Sequence, residues 1–308
     1  MLGPRKPPPE QRNDMDKIGL TGKTTDRPEF ERPAIEPGDF GAIVRPLSLF
    51  RRVSNIPWLR TGFIVVLLVA LWEGYARYLD NPLMVPTFTE TVVSLWQATV
   101  GGPLLQRIAV SLQVLLMGYG AGVFLAAVLT TIAVSSRFGT DLLSTLSSMF
   151  NPLPAIALLP LALLWFGLGK GSLVFVIIHS VLWAVALNTH TGFQSVSEAL
   201  RMTGQNYGLR GLRFVLHILI PAAFPSILAG LKIGWAFAWR TEIAAELVFG
   251  ATTGSGGLGW FIFEARNLLD TASVFAGLIS VVVIGLAVEN VVFRSVERST
   301  VRKWGMQR

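Results

Sequence analysis

The chain has 308 residues, of which 52% are hydrophobic and only 15% charged, and its mean hydropathy is +0.54. Soluble domains carry about 25% charged residues, so this composition excludes an ordinary soluble protein and points to an integral membrane one. The net charge of +7 is carried mainly by the N-terminal segment, the loops between apolar runs and the C-terminus, a topology pattern and not a nucleic-acid-binding face, while 0 cysteines exclude disulfides and thiolate chemistry.

Residues 1–55 are rich in proline, glycine and charge, as in MLGPRKPPPE and GLTGKTTDRPEFERPAIEPG. They bury too little apolar surface to offset ordering entropy and read as a disordered cytosolic tail; the first apolar run comes too late for a secretory signal. Residues 56–80 hold the first span, Trp58 to about Tyr78, with Arg60 at its inner end and Trp72, Tyr75 and Tyr78 as outer anchors. Residues 81–103 follow as an external amphipathic segment. There Thr87 to Val100 carries Val92, Val93, Leu95 and Trp96 but is too short and polar to cross.

Residues 104–294 are expected to form a five-helix core. Leu104 to Val134 is the second span, and Gly118 and Gly122, four apart, allow another helix to approach closely. The third, Asp141 to Phe166, is interrupted by Asn151-Pro152-Leu153-Pro154 and by Pro160. Prolines at that density remove backbone hydrogen bonds and leave either a broken helix beside a pathway or a kinked packing helix. GLGKG at 167–171 is an outer turn without the frame of a phosphate loop. Ser172 to about Asn188 returns inward as the fourth span. Residues 191–218 then form a polar, basic cytosolic loop with Leu200, Tyr207 and Leu212 at helical spacing among Arg201, Arg210 and Arg213.

Pro221 to Phe249 is the fifth span, Thr252 to Asp270 an outer loop with a short helix, Thr271 to Phe293 the sixth span, and 295–308 a basic cytosolic tail. The fold expected is therefore an all-α integral membrane protein with six transmembrane helices. Six spans put both termini in the cytosol, and few basic residues beyond Arg107, Lys170 and Arg266 fall outside.

Charges inside a span are functional candidates, since each costs about 2.5–3.5 kcal/mol at the bilayer centre. The fifth span holds Lys232, Arg240, Glu242 and Glu246. At about 100° per residue the two glutamates share a face and Arg240 points nearly opposite Glu242, so one helix cannot satisfy them all internally. Arg240, a fork of donors, is the candidate contact for an oxyanion; a packing ion pair with Glu73, Glu264 or Glu289, or snorkelling, is the alternative. Trp239, Arg240, Glu242 and Glu246, with Asn151 and Pro154 of the interrupted span, make up the candidate translocation path. Gly230 and Gly234 again suit close approach, across a dimer or within a bundle. His179, His190 and His217 lack a nearby carboxylate pattern and read as structural, so no metal site is expected. No GxSxG, HExxH, cysteine nucleophile or convincing carboxylate dyad marks an enzyme. Spans two to four are nearly free of carboxylates, which argues for energy supplied from outside the chain and against the alternative, a stand-alone ion-coupled transporter or channel.

Several stretches occur in a recognisable order: LMVPTFTETVVSLW, NPLPAIALLPLALLWFGLGKGS, the skeleton Gly208 to Ile218, Ile220 and Pro221, IPAAFPSILAGLKIGWAFAWRTEIAAELVFG, GSGGLGWFIFEARNLLDT and Trp304. From about residue 83 to 304 the chain resembles the permease subunits of the nitrate, sulfonate, taurine and bicarbonate group of ABC importers. The resemblance implies the type I importer permease fold in the cell inner membrane, in contact with lipid, and a homodimer that forms the path for a small organic or inorganic anion. It also implies two cytosolic ATP-binding subunits that use ATP and Mg²⁺, an extracytoplasmic solute-binding protein, no cofactor on this chain and no nucleic-acid partner. The matching loop would couple to the ATPases through Glu198, Arg201, Met202, Gly204, Tyr207, Gly208, Arg210, Arg213, Ile218 and Pro221. It departs from the family pattern at Met202-Thr203-Gly204, where the broader family carries Glu-Ala-Ala, and Glu198 lies four residues earlier.

Overall fold

The computed structural model describes residues 57–249 and 256–302. The expected N-terminal tail at 1–55 and Trp304 lie outside these residues. The chain divides between Thr61 and Gly62 into two compact units. Of the first, only Pro57–Thr61 are described, the opening turn of a helix; the second, Gly62–Arg308, holds every contact discussed below.

The helices are α1 (Pro57–Leu79), α2 (Phe88–Val100), α3 (Leu104–Ser135), α4 (Arg137–Phe150), α5 (Leu159–Phe166), α6 (Lys170–Gln194), α7 (Glu198–Asn206), α8 (Gly211–Phe214), α9 (Ile220–Phe249), α10 (Leu258–Asn267), α11 (Thr271–Ala287) and α12 (Arg294–Glu297). A π-turn at Val215–Leu219 joins α8 to α9, and π-turns at Val288–Phe293 and Arg298–Arg302 prolong α11 and α12. Among the described residues there is no strand. Five stretches are long and apolar enough to cross a membrane, Trp58–Leu79, Leu104–Ser135, Lys170–Gln194, Gly211–Val248 and Thr271–Val301, and the bent pair Arg137–Phe150 and Ala155–Phe166 makes a sixth if counted as one span.

That pair is bent by 84°, so the expected third span is a broken helix and not a straight crossing. It also begins earlier than Asp141, because Ser136 caps α4 by accepting from the Gly139 N–H at 3.0 Å. Pro152 and Pro154 have no N–H to donate, so the ladder of hydrogen bonds cannot continue and α4 ends at Phe150. The chain resumes in a 3₁₀ turn at Ala155–Leu158, and Pro160 falls in the first turn of α5, where its missing N–H is harmless.

The core is a layer of three long helices, with α6 packed along both α3 and α9. Glycines set that packing. A Cβ at Gly118 would sit 2.7 Å from the Ile177 side chain, one at Gly122 2.8 Å from Val181, one at Gly230 2.8 Å from Asn188 and one at Gly234 3.0 Å from Val185. Both small-residue pairs therefore serve the bundle of a single chain. Around the layer, Trp72 of α1 donates to the Pro86 carbonyl at 3.0 Å and meets the rings of Phe88 and Phe275, joining α1 to α2 and α11. A capping box opens the helix α2, Thr87 and Glu90 exchanging side-chain to backbone bonds at 3.1 and 2.9 Å.

Three boundaries differ from expectation. The fourth span runs to Gln194 and the next helix opens at Gly211, so the loop expected at 191–218 shrinks to the segment between those helices. Ile218 and Pro221 consequently belong to the long helix and not to the loop; the π-turn just before Pro221 absorbs the hydrogen bond that its ring cannot make. The last helix does not stop at Phe293 with a tail from 295 but continues to Arg302, because Val301 is buried and Lys232 of α9 holds Glu297 at 2.7 Å.

Candidate functional site

The break between α4 and α5 opens a cavity of about 230 Å³ against α6 and α9. Asn151, Pro154 and Arg240 line it, so three of the residues expected on a path come together. His179, Ser180, Trp183 and Thr241 complete the polar wall, and Leu153, Ala155 and Phe237 the apolar one. Among the described residues no carboxylate lines the cavity.

The Arg240 guanidinium makes no ion pair among the described residues and lies 5.6 Å from the centre of the Phe237 ring. Each carboxylate that could have paired with it is already engaged. Glu73 binds Arg77 at 2.6 Å, Glu264 binds Arg107 at 3.2 Å, and Glu289 stands 4.0 Å from Lys232. A cation in a span with no fixed counter-charge is expensive unless it faces water or an anion, which points the guanidinium into the cavity chemistry. Around it, the Trp183 Nε1–H is buried and has no hydrogen-bond partner among the described residues, and the His179 ring lies beside the Phe150 carbonyl. Such groups either cost stability or wait for a ligand.

The remaining expected path residues sit elsewhere. Trp239 is buried and donates to the Val281 carbonyl at 3.2 Å. Glu246 is 2% exposed and accepts from Ser111 at 2.8 Å and from the Gly259 N–H at 2.7 Å, while Ser111 also accepts from the Leu258 N–H at 2.8 Å. The carboxylate thus seats the N-terminus of α10, where negative charge and free N–H groups attract. A Cβ at Gly257 would run into Glu246 and Ser111, which is why glycines lead into this helix. Glu242, fully buried one turn earlier, lies beside Glu246 and meets no donor among the described residues. Both glutamates are core groups and not cavity walls. Their i,i+4 spacing sets them side by side on one face of α9, and the structure adds that this face is buried.

On the other side of the core, α7 ends in a Schellman motif. The Gly208 N–H donates to the Gln205 carbonyl at 2.9 Å and the Leu209 N–H to the Gly204 carbonyl at 3.1 Å, with Gly208 at φ +74°. Gly204 packs against Phe214 and Ile218, where a Cβ would lie 2.8 Å from Ile218. Arg201 is spent on backbone, donating to the Val196 and Phe193 carbonyls at the end of α6. Glu198, Met202, Tyr207, Arg210 and Arg213 are exposed, Tyr207 at 81%.

His179, Ser180, Trp183 and Thr241 were missed as site residues. The available signal was a run of polar groups, His179-Ser180 and Trp183, within an otherwise apolar helix; only the break in α4 and α5 shows which face they occupy.

A multi-spanning helical bundle with a donor-rich, acid-free cavity at a broken helix defines a membrane transport component. Residues 118–300 match the family described as binding-protein-dependent transport system inner membrane component, and the chain belongs to that family. It is similar to the permease protein SsuC of Escherichia coli K12, named for aliphatic sulfonates transport (30% identity, covering 74% of this chain and 84% of that protein). It is also similar to the taurine transport system permease protein TauC of Escherichia coli K12 (30%, 75% and 84%) and to the nitrate import permease protein NrtB of Synechocystis (28%, 75% and 85%). The chain is therefore a multi-pass membrane permease subunit of an ABC importer and not an enzyme. Membership implies a solute-binding partner and an ATP-binding partner that uses ATP, and it sets aside the stand-alone ion-coupled carrier.

Proposed function

We propose that this permease forms the path for a small anion, with Asn151, Pro154 and Arg240 on its wall, and that it works as a homodimer. The segment from Gln194 to Phe214 docks cytosolic ATP-binding subunits through Glu198, Met202, Tyr207, Arg210 and Arg213, with Gly204 and Gly208 shaping it, Arg201 tying it to α6, and Ile218 and Pro221 fixing the helix behind it. Mg²⁺ is used there with ATP, both termini are cytosolic, and the solute arrives from an extracytoplasmic binding protein. The carrying observation is the unpaired Arg240 in a cavity without carboxylates. The names of the relatives, which concern sulfonates, taurine and nitrate, agree with an anion.

The test is uptake of taurine, methanesulfonate and nitrate by the complete complex in proteoliposomes. Arg240→Gln should lower ATP-driven uptake at least about tenfold with assembly intact, the worth of one charge-assisted contact of about 1.5–3 kcal/mol, and Arg240→Lys should keep part of it. Unchanged uptake by Arg240→Gln would sink the anion role.

A further inference from the structure

We propose that Arg294–Glu297, the 4-residue piece of the last helix between its two π-turns, is a swivel that passes Lys232 of α9 between two carboxylates. The inference rests on the docking role proposed for the segment from Gln194 to Phe214, because it concerns α9, the helix that grows out of that segment.

Lys232 is a cation inside a span, and the last helix offers it two acids, Glu297 at 2.7 Å and Glu289 at 4.0 Å. Those acids are eight positions apart in the sequence. In a regular helix, about 100° per residue would leave them about 80° apart around the axis, and one lysine could not face both. The π-turn at Val288–Phe293 takes up one extra residue, so that the eight positions act as seven, which is two whole turns. Its wide ring shows in the Arg294 N–H, which donates to the Glu289 carbonyl, five residues back.

A wide turn can move along a helix, since each N–H then exchanges one carbonyl for its neighbour and the number of hydrogen bonds is conserved. The second π-turn, Arg298–Arg302, follows directly after Glu297. Passing one residue from the first turn to the second rotates Arg294–Glu297 by about 100° and shifts it about 1.5 Å along the axis. The flanks stay in place: Trp239 holds the Val281 carbonyl at 3.2 Å, Trp235 meets the Phe293 ring at 6.4 Å, and Val301 is buried. Glu289, Asn290, Val291 and Val292 are exposed, so the turn changes shape without displacing a packed neighbour. The rotation withdraws Glu297 and leaves Lys232 to Glu289. Lys232 lies about two turns before Arg240 on α9, so the exchange gives that helix two discrete registers against the last one, the kind of two-state contact through which small helix shifts are transmitted.

The test uses the complete complex with its ATP-binding subunits in nanodiscs. Spin labels at Leu278→Cys and Ser295→Cys stand at exposed positions on either side of the first π-turn, in a chain with 0 cysteines of its own. Their separation should shift by about 3 Å when ATP is added. Deleting Val291, 66% exposed, leaves a regular helix with both acids still two turns apart and facing Lys232. That variant should keep its thermal midpoint and its ATP-binding subunit, lose the ATP-dependent shift, and take up taurine, methanesulfonate or nitrate, whichever the unaltered complex carries, at least about fivefold more slowly. Glu289→Gln, which keeps the 2.7 Å pair, should have the same effect and decides the matter if the deletion variant misfolds. A separation that does not respond to ATP, or full uptake by a folded deletion variant, would overturn the swivel and leave the docking reading standing. An unaltered chain that never holds the ATP-binding subunit would overturn both.

Discussion

Arg240 and Glu246 stand on the same helix and meet different surroundings, because six residues at about 100° each turn the second away from the first. Arg240 reaches the gap left by the broken helix, whereas Glu246 meets Ser111 and the opening of α10. The second cluster is a closed set of buried partners, so its loss should appear in stability. Ser111→Ala removes the acceptor of the Leu258 N–H and a donor to Glu246, and should cost about 1–3 kcal/mol, read as a lower thermal unfolding midpoint of the detergent-purified chain. An unchanged midpoint would mean that the cluster is not what holds α10. At this scale the sequence showed that Arg240 needed an explanation, since a charge inside an apolar run is costly wherever it points. It could not show the fate of Glu246, whose donor lies 135 positions away.

At the scale of elements, the proline run predicts the interruption between α4 and α5 because missing N–H groups act locally. The 84° angle and the cavity behind it depend on what α6 and α9 leave open. The ends of the loop between α6 and α8 differ from expectation for a related reason: polar composition marks a segment as solvent-facing but does not stop a helix, and both flanking helices extend into it. Gly208 is legible from both directions, as the spacing glycine of the loop and as the left-handed residue that ends α7. Gly208→Ala has open space for its methyl group, so its cost is conformational, about 1–2 kcal/mol. The expected outcome is a correctly inserted permease from which the ATP-binding subunit dissociates several-fold more readily during co-purification. Retention equal to that of the unaltered chain would separate the Schellman turn from docking.

For the whole molecule, the proposed orientation can be read directly, because the chain contains 0 cysteines and each introduced thiol is the only one present. With a membrane-impermeant maleimide, Lys170→Cys, at the start of α6, should label in intact spheroplasts, and Tyr207→Cys, 81% exposed at the end of α7, only after permeabilisation. The reverse pattern would place the loop outside and remove its role with the ATP-binding subunit. The sequence by itself determined that this is a helical membrane protein, roughly where the chain crosses, that the third crossing is interrupted and that Arg240 is anomalous. Those properties follow from hydropathy, proline chemistry and the cost of charge in lipid, all of which act over a few turns of chain. Only the tertiary structure decided that the small-residue pairs serve one bundle, that Glu242 and Glu246 are core groups, and that His179 and Trp183 share a wall with Arg240. Each of those depends on which faces of helices distant in sequence meet, and that is set by the packing of the whole bundle.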